Sequence, residues 1–444
     1  MINRNLYGLV TCLLFFSLNT WSIRICAQEG PELTLKDAVA TALQNNYNIQ
    51  LSRNNLAITK NNVTIGNAGF LPVVNGTMTN NNNVQDVRQT NSTGVDVNTD
   101  NVHSSSLNYG ANLSWTVFNG FSMFANYEQL KKLNELGELM ARDTVLNTIS
   151  NVISTYYNLI NQTQQLKALK GTMEISRTQY RFANDKFKVG RASKLDVLNA
   201  QVNVNTDTAA YLTQLQQYRT TRVQLNQLLV RDLQVEFTVP DTIAVDDKLI
   251  LSEVISKAQA QNPVLLASQI NRRLAEISLK QVKASRYPVV GLTSGYLIGS
   301  SKTPNGFTRS QNTNGFNYGF TASINIFNGF NQWRRERNAR LQMNNAELSQ
   351  KQVQLDINAQ ISTLFISYLS GLDLMKITRE NVSVAKRNLD ISMDKYKLGN
   401  ITPLEIREAE KNYLDAQTRF FDTQYQAKIA ETLLNQVSNN IVLQ

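Results

Sequence analysis

The hexapeptide TVFNGF (Thr116–Phe121) returns as NIFNGF (Asn325–Phe330), and the offset of 209 positions between Phe118 and Phe327 aligns much more than these residues. DKFKVG (Asp185–Gly190) falls on DKYKLG (Asp394–Gly399), NYG (Asn108–Gly110) on NYG (Asn317–Gly319), and LNQ (Leu225–Gln227) on LNQ (Leu434–Gln436). The chain is a tandem duplication.

Upstream of each FNGF the sequence alternates at period two: Leu107, Tyr109, Ala111, Leu113, Trp115, Val117, and in the copy Phe316, Tyr318, Phe320, Ala322, Ile324, Ile326. Such alternation predicts a strand with one greasy face. The other face is polar, with Asn108, Asn112, Ser114 and Thr116, or Asn317, Thr321, Ser323 and Asn325. Apolar outside and polar inside over about 11 residues fits a tilted membrane-barrel strand. A soluble two-stranded sheet packed on a helix would read the same from the strands alone. Each is preceded by a short extended run after a proline, VVNGTMT after Pro72 and VVGLTSGYL after Pro288. The stretches between, 80–106 and 299–315, are rich in Asn, Ser, Thr and Gly and read as exposed hairpin loops. Phe118 and Phe121, with Phe327 and Phe330, stand where aromatics mark a membrane interface, so FNGF is where each hairpin leaves the bilayer and becomes a helix.

Before each proline an amphipathic helix is expected, from Leu33 to Phe70 and from Leu251 to Tyr287. After FNGF, residues 121–188 and 330–397 contain no proline, and each could extend about 100 Å as one helix. Gly190 and Gly399 then stop the helix, and Ser193 and Thr402 cap the next, with Pro403 at a first helical position. The returning helices carry a seven-residue rhythm, Val197, Val204, Tyr211, Tyr218, Leu225 and Ile406, Tyr413, Phe420, Ala427, Leu434. A second stripe runs through Leu195, Leu198, Val202, Ala209 and Leu212. Two stripes on one helix mean two neighbours, hence a ring of coiled coils; Tyr211, Tyr218, Tyr413 and Phe420 are expected to pack helix on helix.

Residues 1–27 read as a secretory signal peptide, with a basic start at Arg4, an apolar run too short to span a bilayer, and a cleavage site after Ala27. The domain division expected is then 28–229 for the first repeat, 230–250 for an equatorial linker, and 251–444 for the second repeat. Cys26 follows Ile25 and Arg24 rather than a lipobox, and both cysteines, Cys12 and Cys26, leave with the signal. Disulfides and thiolate metal sites are thereby excluded. The one histidine, His103, has no ligand partners at metal spacing, and no phosphate-cradling loop or catalytic triad can be assembled. Neither enzyme chemistry nor a cofactor is expected. The formal charge of +10 is interleaved with acids along helices, which argues against a nucleic-acid partner.

A signal peptide, two repeats, four strands, long helices and the duplicated turns FKVGRASKLDVLNA (Phe187–Ala200) and YKLGNITPLEIREA (Tyr396–Ala409) together resemble the TolC-like outer-membrane efflux proteins, over essentially the whole mature chain. The resemblance implies an α+β membrane protein: a homotrimeric β-barrel with four strands per chain, continued by a long periplasmic α-helical coiled-coil tunnel. Four strands cannot close a barrel, whose minimum is about eight, and open edges do not survive in lipid, so oligomerisation is required on physical grounds too. The implied function is a passive exit channel of a tripartite efflux or type I secretion system, docking with a periplasmic adaptor (membrane fusion protein) and an inner-membrane pump of RND or ABC type. The resemblance places adaptor contacts at the turns, Val189, Gly190, Arg191 and Leu398, Gly399, Asn400. It places an acidic constriction ring at Glu405 and Glu408, with Asp196 at the matching place in the first repeat and Asn199 where a second acid would stand. Ile401 occupies a position where relatives can carry a closing arginine. A soluble periplasmic coiled-coil adaptor would lack alternating hairpins, and a surface structural protein would not need the duplicated turn.

Overall fold

The structure, a computed structural model, describes residues 31–304 and 308–441; the expected signal peptide and both cysteines lie outside them. Each repeat has the same order of elements. In the first, α1 (Leu35–Asn45), α2 (Tyr47–Asn61), β1 (Val73–Thr90), β2 (Asp96–Asn119), α3 (Ser122–Lys188) and α4 (Lys194–Leu228) follow one another. In the second come α5 (Leu251–Gln261), α6 (Pro263–Ala284), β3 (Val289–Lys302), β4 (Ser310–Ser323), α7 (Asn331–Leu398) and α8 (Pro403–Val437). No helix among the described residues is long and apolar enough to cross a membrane.

The four strands form one antiparallel sheet in the order β1-β2-β3-β4. Its register puts the alternating apolar residues into common rows: Val74, Leu113, Ser294, Tyr318; then Ala111, Tyr296, Phe316; then Met78, Tyr109, Ile298. Paired residues share a face, so the greasy face predicted from two strands extends over all four. The opposite face carries Asn75, Asn112, Gly295 and Asn317 in one row and Thr79, Asn108, Gly299 and Thr313 in another. The β3 glycines make room for the amides: a Cβ on Gly295 would lie 2.5 Å from Asn112 Oδ1, and one on Gly299 would lie 2.8 Å from Asn108 Oδ1.

The strands are much longer than expected. β1 has 18 residues and β2 has 24, so the polar stretch 80–106 is mostly ladder, and the loop shrinks to a turn in which Asn91 Oδ1 accepts from Thr93 N and Val95 N. The sequence misleads because ladder hydrogen bonds use backbone alone; Asn, Ser and Thr extend a hairpin as well as apolar residues do once its base is fixed. Conversely β4 stops at Ser323, short of Ile324 and Ile326, because its partner β3 begins at Val289 and the residue before that, Pro288, has no N–H to extend the ladder.

The leading helices are also not single. Asn46 splits the first into α1 and α2, and Asn262 splits the second into α5 and α6. Each Asn caps the following helix, Asn46 Oδ1 accepting from Asn48 N and Asn262 Oδ1 from Val264 N and Leu265 N. The same amides donate 2.9 Å bonds to Leu228 O at the end of α4 and to Val437 O at the end of α8. One side chain thus starts one helix and finishes another. In the first repeat α2 ends well before Pro72, and turns over 64–69 complete the climb to the sheet.

The core lies at this equator. Ala38, Val39 and Ala42 of α1 pack with Val152, Tyr156, Leu159 and Ile160 of α3, Leu225 of α4, and Phe237 and Ile243 of the connecting segment. The second repeat repeats it with Val254, Ala258, Ile361, Tyr368 and Leu434. Residues 230–250 form no helix, and the long helices satisfy their backbone: Gln164 donates to Asp241 O, Gln424 to Ile243 O, Tyr368 to Asp246 O, and Glu431 accepts from Asp246 N.

Side by side, the helices run α2–α3–α6–α7 above the equator and α4–α3–α8–α7 below it. The sheet edges β1 and β4 stand over the same two flanks, one flank comprising β1, α2 and α4 and the other β4 and α7.

FNGF acquires a residue-by-residue meaning. Asn119 Oδ1 accepts from Met123 N and Asn328 Oδ1 from Gln332 N, capping the long helices. Gly120 and Phe121 both have positive φ (67° and 68°), as do Gly329 and Phe330 (65° and 62°). The phenylalanines stack edge to face, Phe118 on Phe121 at 5.2 Å and Phe327 on Phe330 at 5.4 Å. The copies differ in surroundings: a Cβ on Gly120 would fall 2.3 Å from Ala284 O, whereas one on Gly329 meets only Asn331 Nδ2 at 3.9 Å. Gly329→Ala should therefore cost only the left-handed backbone penalty, about 1–2 kcal/mol, while Gly120→Ala should cost distinctly more because α6 must shift. Urea unfolding followed by circular dichroism in detergent checks this; equal losses would refute the contact.

Candidate functional site

The two helix turns at the end far from the sheet carry most of the predicted site residues. Both are closed by the same backbone motif: Gly190 N donates to Phe187 O and Arg191 N to Lys186 O, while Gly399 N donates to Tyr396 O and Asn400 N to Lys395 O. Gly190 and Gly399 have φ of 74° and 81°, the left-handed stop that favours glycine. Capping boxes follow. Ser193 and Asp196 bond reciprocally, as do Thr402 and Glu405. Val189, Leu398 and Leu404 are all at least 70% exposed, an apolar tip on each hairpin.

Asp196 and Glu405 thus serve first as helix caps. Each carboxylate accepts from the backbone N–H and hydroxyl of its capping partner, which lowers its pKa below the usual range, the backbone bond contributing most. Both remain ionised at neutral pH. Glu408, one turn further along α8, is exposed and shares a helix face with Glu405. Ile401 is half-buried against the small core of Leu389, Tyr396, Ile406 and Ala409.

Arg407 lies between the two glutamates in sequence but turns away from them. Its guanidinium grips Asp207 of α4 in a fork, Nη1 to Oδ2 and Nη2 to Oδ1 both at 2.7 Å. Ser176 of α3 donates to the same Asp207 carboxylate, and Gln179 of α3 donates to Glu410 of α8. Glu410 is 1% exposed and only 3.5 Å from Arg407 Nη1. Burial, chiefly, raises its pKa to about 7. Tyr396 of α7 completes the surroundings; burial first, then Asp196 and Glu410, keep its phenol protonated.

This cluster escaped sequence reasoning, since Asp207, Arg407 and Glu410 look like solvated helix charges. One signal was available: at the repeat offset they face Ala416, Leu198 and Gln201, so the charges break an otherwise repeated pattern.

Of the predicted packing residues, Tyr218 is half-buried against the equatorial core with Arg222 over its ring. Tyr413 packs on the tip core under Lys386, and Phe420 lies under Arg379. Tyr211 is half-buried in a groove with Leu166, Lys170 and Tyr218. The second stripe is different: Leu195, Leu198, Val202 and Leu212 are all more than half exposed.

A four-stranded sheet with an apolar outer face, standing on helices of 67 and 68 residues that converge on paired turns, defines a membrane channel with a helical tunnel. The family described as outer membrane efflux protein matches residues 38–230 and 254–440, and the chain belongs to it. Among relatives, the outer membrane efflux protein BepC of Brucella suis is 22% identical over 408 residues, covering 90% of this chain and 84% of that protein. The cation efflux system protein CusC of Escherichia coli K12 is 23% identical over 331 residues, 71% of this chain and 69% of its own. Among solved structures, the Campylobacter jejuni CmeC outer membrane channel superposes with a TM-score of 0.76 at 19% identity, over 91% of this chain and 85% of that one. The open-state Neisseria gonorrhoeae MtrE channel gives 0.71 at 15% identity, covering 91% and 89%. The family is one of channels rather than enzymes. Its fold is an outer-membrane barrel with a periplasmic helical tunnel.

Asp207 is buried and Arg407 half-buried, and removing the cation leaves the buried acid uncompensated. Arg407→Ala should therefore destabilise the protein by about 3 kcal/mol, and Asp207→Asn in the same chain should recover part of it. Chemical unfolding of the three variants checks this; a neutral Arg407→Ala would refute the burial assigned to the pair.

Proposed function

We propose that three copies of this chain form a passive exit channel of a tripartite efflux or type I secretion assembly. The observation that carries this reading is the pair of open flanks. β1 with α2 and α4 on one side, and β4 with α7 on the other, each have an outer side with no neighbouring strand or helix among the described residues. A strand edge in hydrocarbon must be paired, four strands are too few to close, and unlike flanks join head to tail into a ring. The exposed stripe of α4 and the exposed Leu341, Leu348 and Leu355 of α7 supply apolar faces for that contact. Three copies bring twelve strands, a closed barrel, and twelve helical columns.

The tunnel end narrows at α8, where Glu405 and Glu408 of the three copies form an acidic ring that Asp196 joins from the matching place in the first repeat. Arg407 is committed to Asp207 and leaves the ring charge standing, so the ring favours cations. Val189, Gly190, Arg191, Leu398, Gly399 and Asn400 receive the periplasmic adaptor, which brings an RND or ABC pump; energy enters there and not in this chain. Tyr211, Tyr218, Tyr413 and Phe420 serve as helix-packing residues.

Detergent-extracted outer membranes should yield a heat-modifiable trimer; a monomer in the soluble fraction would overturn the channel. In planar bilayers, Glu405→Ala/Glu408→Ala should abolish block by a trivalent cation applied from the periplasmic side and reduce cation preference, and unchanged block would eliminate the ring. Replacing Gly190 and Gly399 by valine should stop efflux in cells while trimers still insert; loss of the trimer instead would make these turns structural only. Tyr218→Asp should lower the trimer melting temperature, and altered conductance at unchanged melting would overturn its packing role.

A further inference from the structure

Among the described residues below the equator, Asp207 and Glu410 are the buried acids, and both face Arg407. Two buried carboxylates share one half-buried guanidinium where α3, α4 and α8 meet, with Asp207 and Glu410 at 5% and 1% exposure. One cation cannot serve both acids. Arg407 presents its fork to Asp207 at 2.7 Å on both nitrogens, and reaches Glu410 only at 3.5 Å. Glu410 otherwise accepts from the neutral Gln179 amide. The groups facing it are Arg407 on its own helix, Asp207 on α4, Ser176 and Gln179 on α3, and the phenol of Tyr396 on α7, itself under the ammonium of Lys186.

We propose that Arg407 and Asp207 are positioning residues that clamp the start of α8 to α4 and α3, and that the protonation state of Glu410 sets the grip of this clamp and so the width of the tunnel end. The proposal rests on the channel reading, because the helix it holds carries Glu405 and Glu408. With a proton on Glu410, Arg407 belongs wholly to Asp207, and the tie runs between the second repeat and the first. When Glu410 gives up that proton to solvent, a second anion three residues away on the same helix competes for Arg407. The bond that joined two helices becomes one inside α8, and an enclosed net negative charge remains to push the seam apart.

The sign follows from the raised pKa. A carboxyl held at about 7 favours the packed seam in its protonated form. That stability is complete below the ordinary carboxyl range and is lost as pH rises through about 7. The seam is tight in acid and loosens on the alkaline side of neutrality. The repeat offset places Ala385, Asn388, Leu198, Gln201 and Ala416 at the matching positions, so the duplicated seam, between α7 and α8 of one copy and α4 of the next, has no such cluster. Only the seam inside each copy responds.

The test is a pH series on reconstituted full-length trimers, read two ways. Spin labels at Lys411→Cys on α8 and Ala210→Cys on α4 should separate by roughly 2 Å between about pH 5.5 and pH 8, the scale of helix shifts at switching interfaces, and channel conductance should rise several-fold over the same range. Glu410→Gln, which cannot ionise, should hold the short distance and low conductance throughout. Asp207→Asn, which frees Arg407 for Glu410, should give the wide state at both ends of the range. Exchanging the pair, Asp207→Arg/Arg407→Asp, should restore the clamp. A pH response in Glu410→Gln equal to that of the parent, or a parent distance that does not move, overturns the proposal. If Glu410→Gln does not assemble, a persistent pH response in Asp207→Asn overturns it equally. Trimers that show the distance change without conducting would instead defeat the channel reading alone.

Discussion

A peptide backbone in hydrocarbon has no water to bond with, so each N–H and C=O must find a partner in protein. That constraint governs this chain. Its sheet satisfies β2 and β3 on both sides and leaves β1 and β4 half-satisfied, which makes the single chain an arc and not an object. The helices beneath inherit the same incompleteness, with α7 on one flank and α2 and α4 on the other. Duplication supplies repeats that fit side by side; the edge requirement is what the proposed ring would satisfy.

Away from the membrane the same accounting is met by other means. The connecting segment 230–250 threads irregularly between the long helices, and its carbonyls are met by Gln164, Gln424, Tyr368 and Asn226. Lys428 and Glu431 pair beside it at 2.7 Å, both buried, with Lys428 over the ring of Tyr157. The many glutamines and asparagines of the helices are therefore not only a polar lining. Gln164, Gln424 and Asn226 hold backbone that no ladder supports.

The duplication, the greasy strand faces, the two long helices and the capped turns were legible because each depends on local period or on a residue of special conformation: Gly399 at positive φ, Thr402 as a cap. Strand length was not legible, because Asn80–Asn83 form ladder bonds with 104–107 that say nothing of their side chains. Nor were the breaks at Asn46 and Asn262, where a residue common in helices of this composition is diverted by a distant carbonyl. At the tunnel end, Asp196 and Glu405 could be found by position, but their capping work is a matter of three-residue geometry. The Arg407 fork depends on three helices meeting, and no single stretch of sequence records that.

The paired asparagines have a mechanical meaning. α3 and α7 cross the equator as unbroken rods, each braced by a full set of helical bonds. Beside them, α4 with α2 and α8 with α6 make columns of similar length, spliced at mid-height with one amide bridging each splice. Stiffness along such a column is lowest where the hydrogen bonds per unit length are fewest. Bending of α4 or α8 is therefore easiest at its asparagine splice, while α3 and α7 run past it without a break. Compliance of the helical layer below the equator is thus concentrated in α4 and α8 and not in the rods beside them.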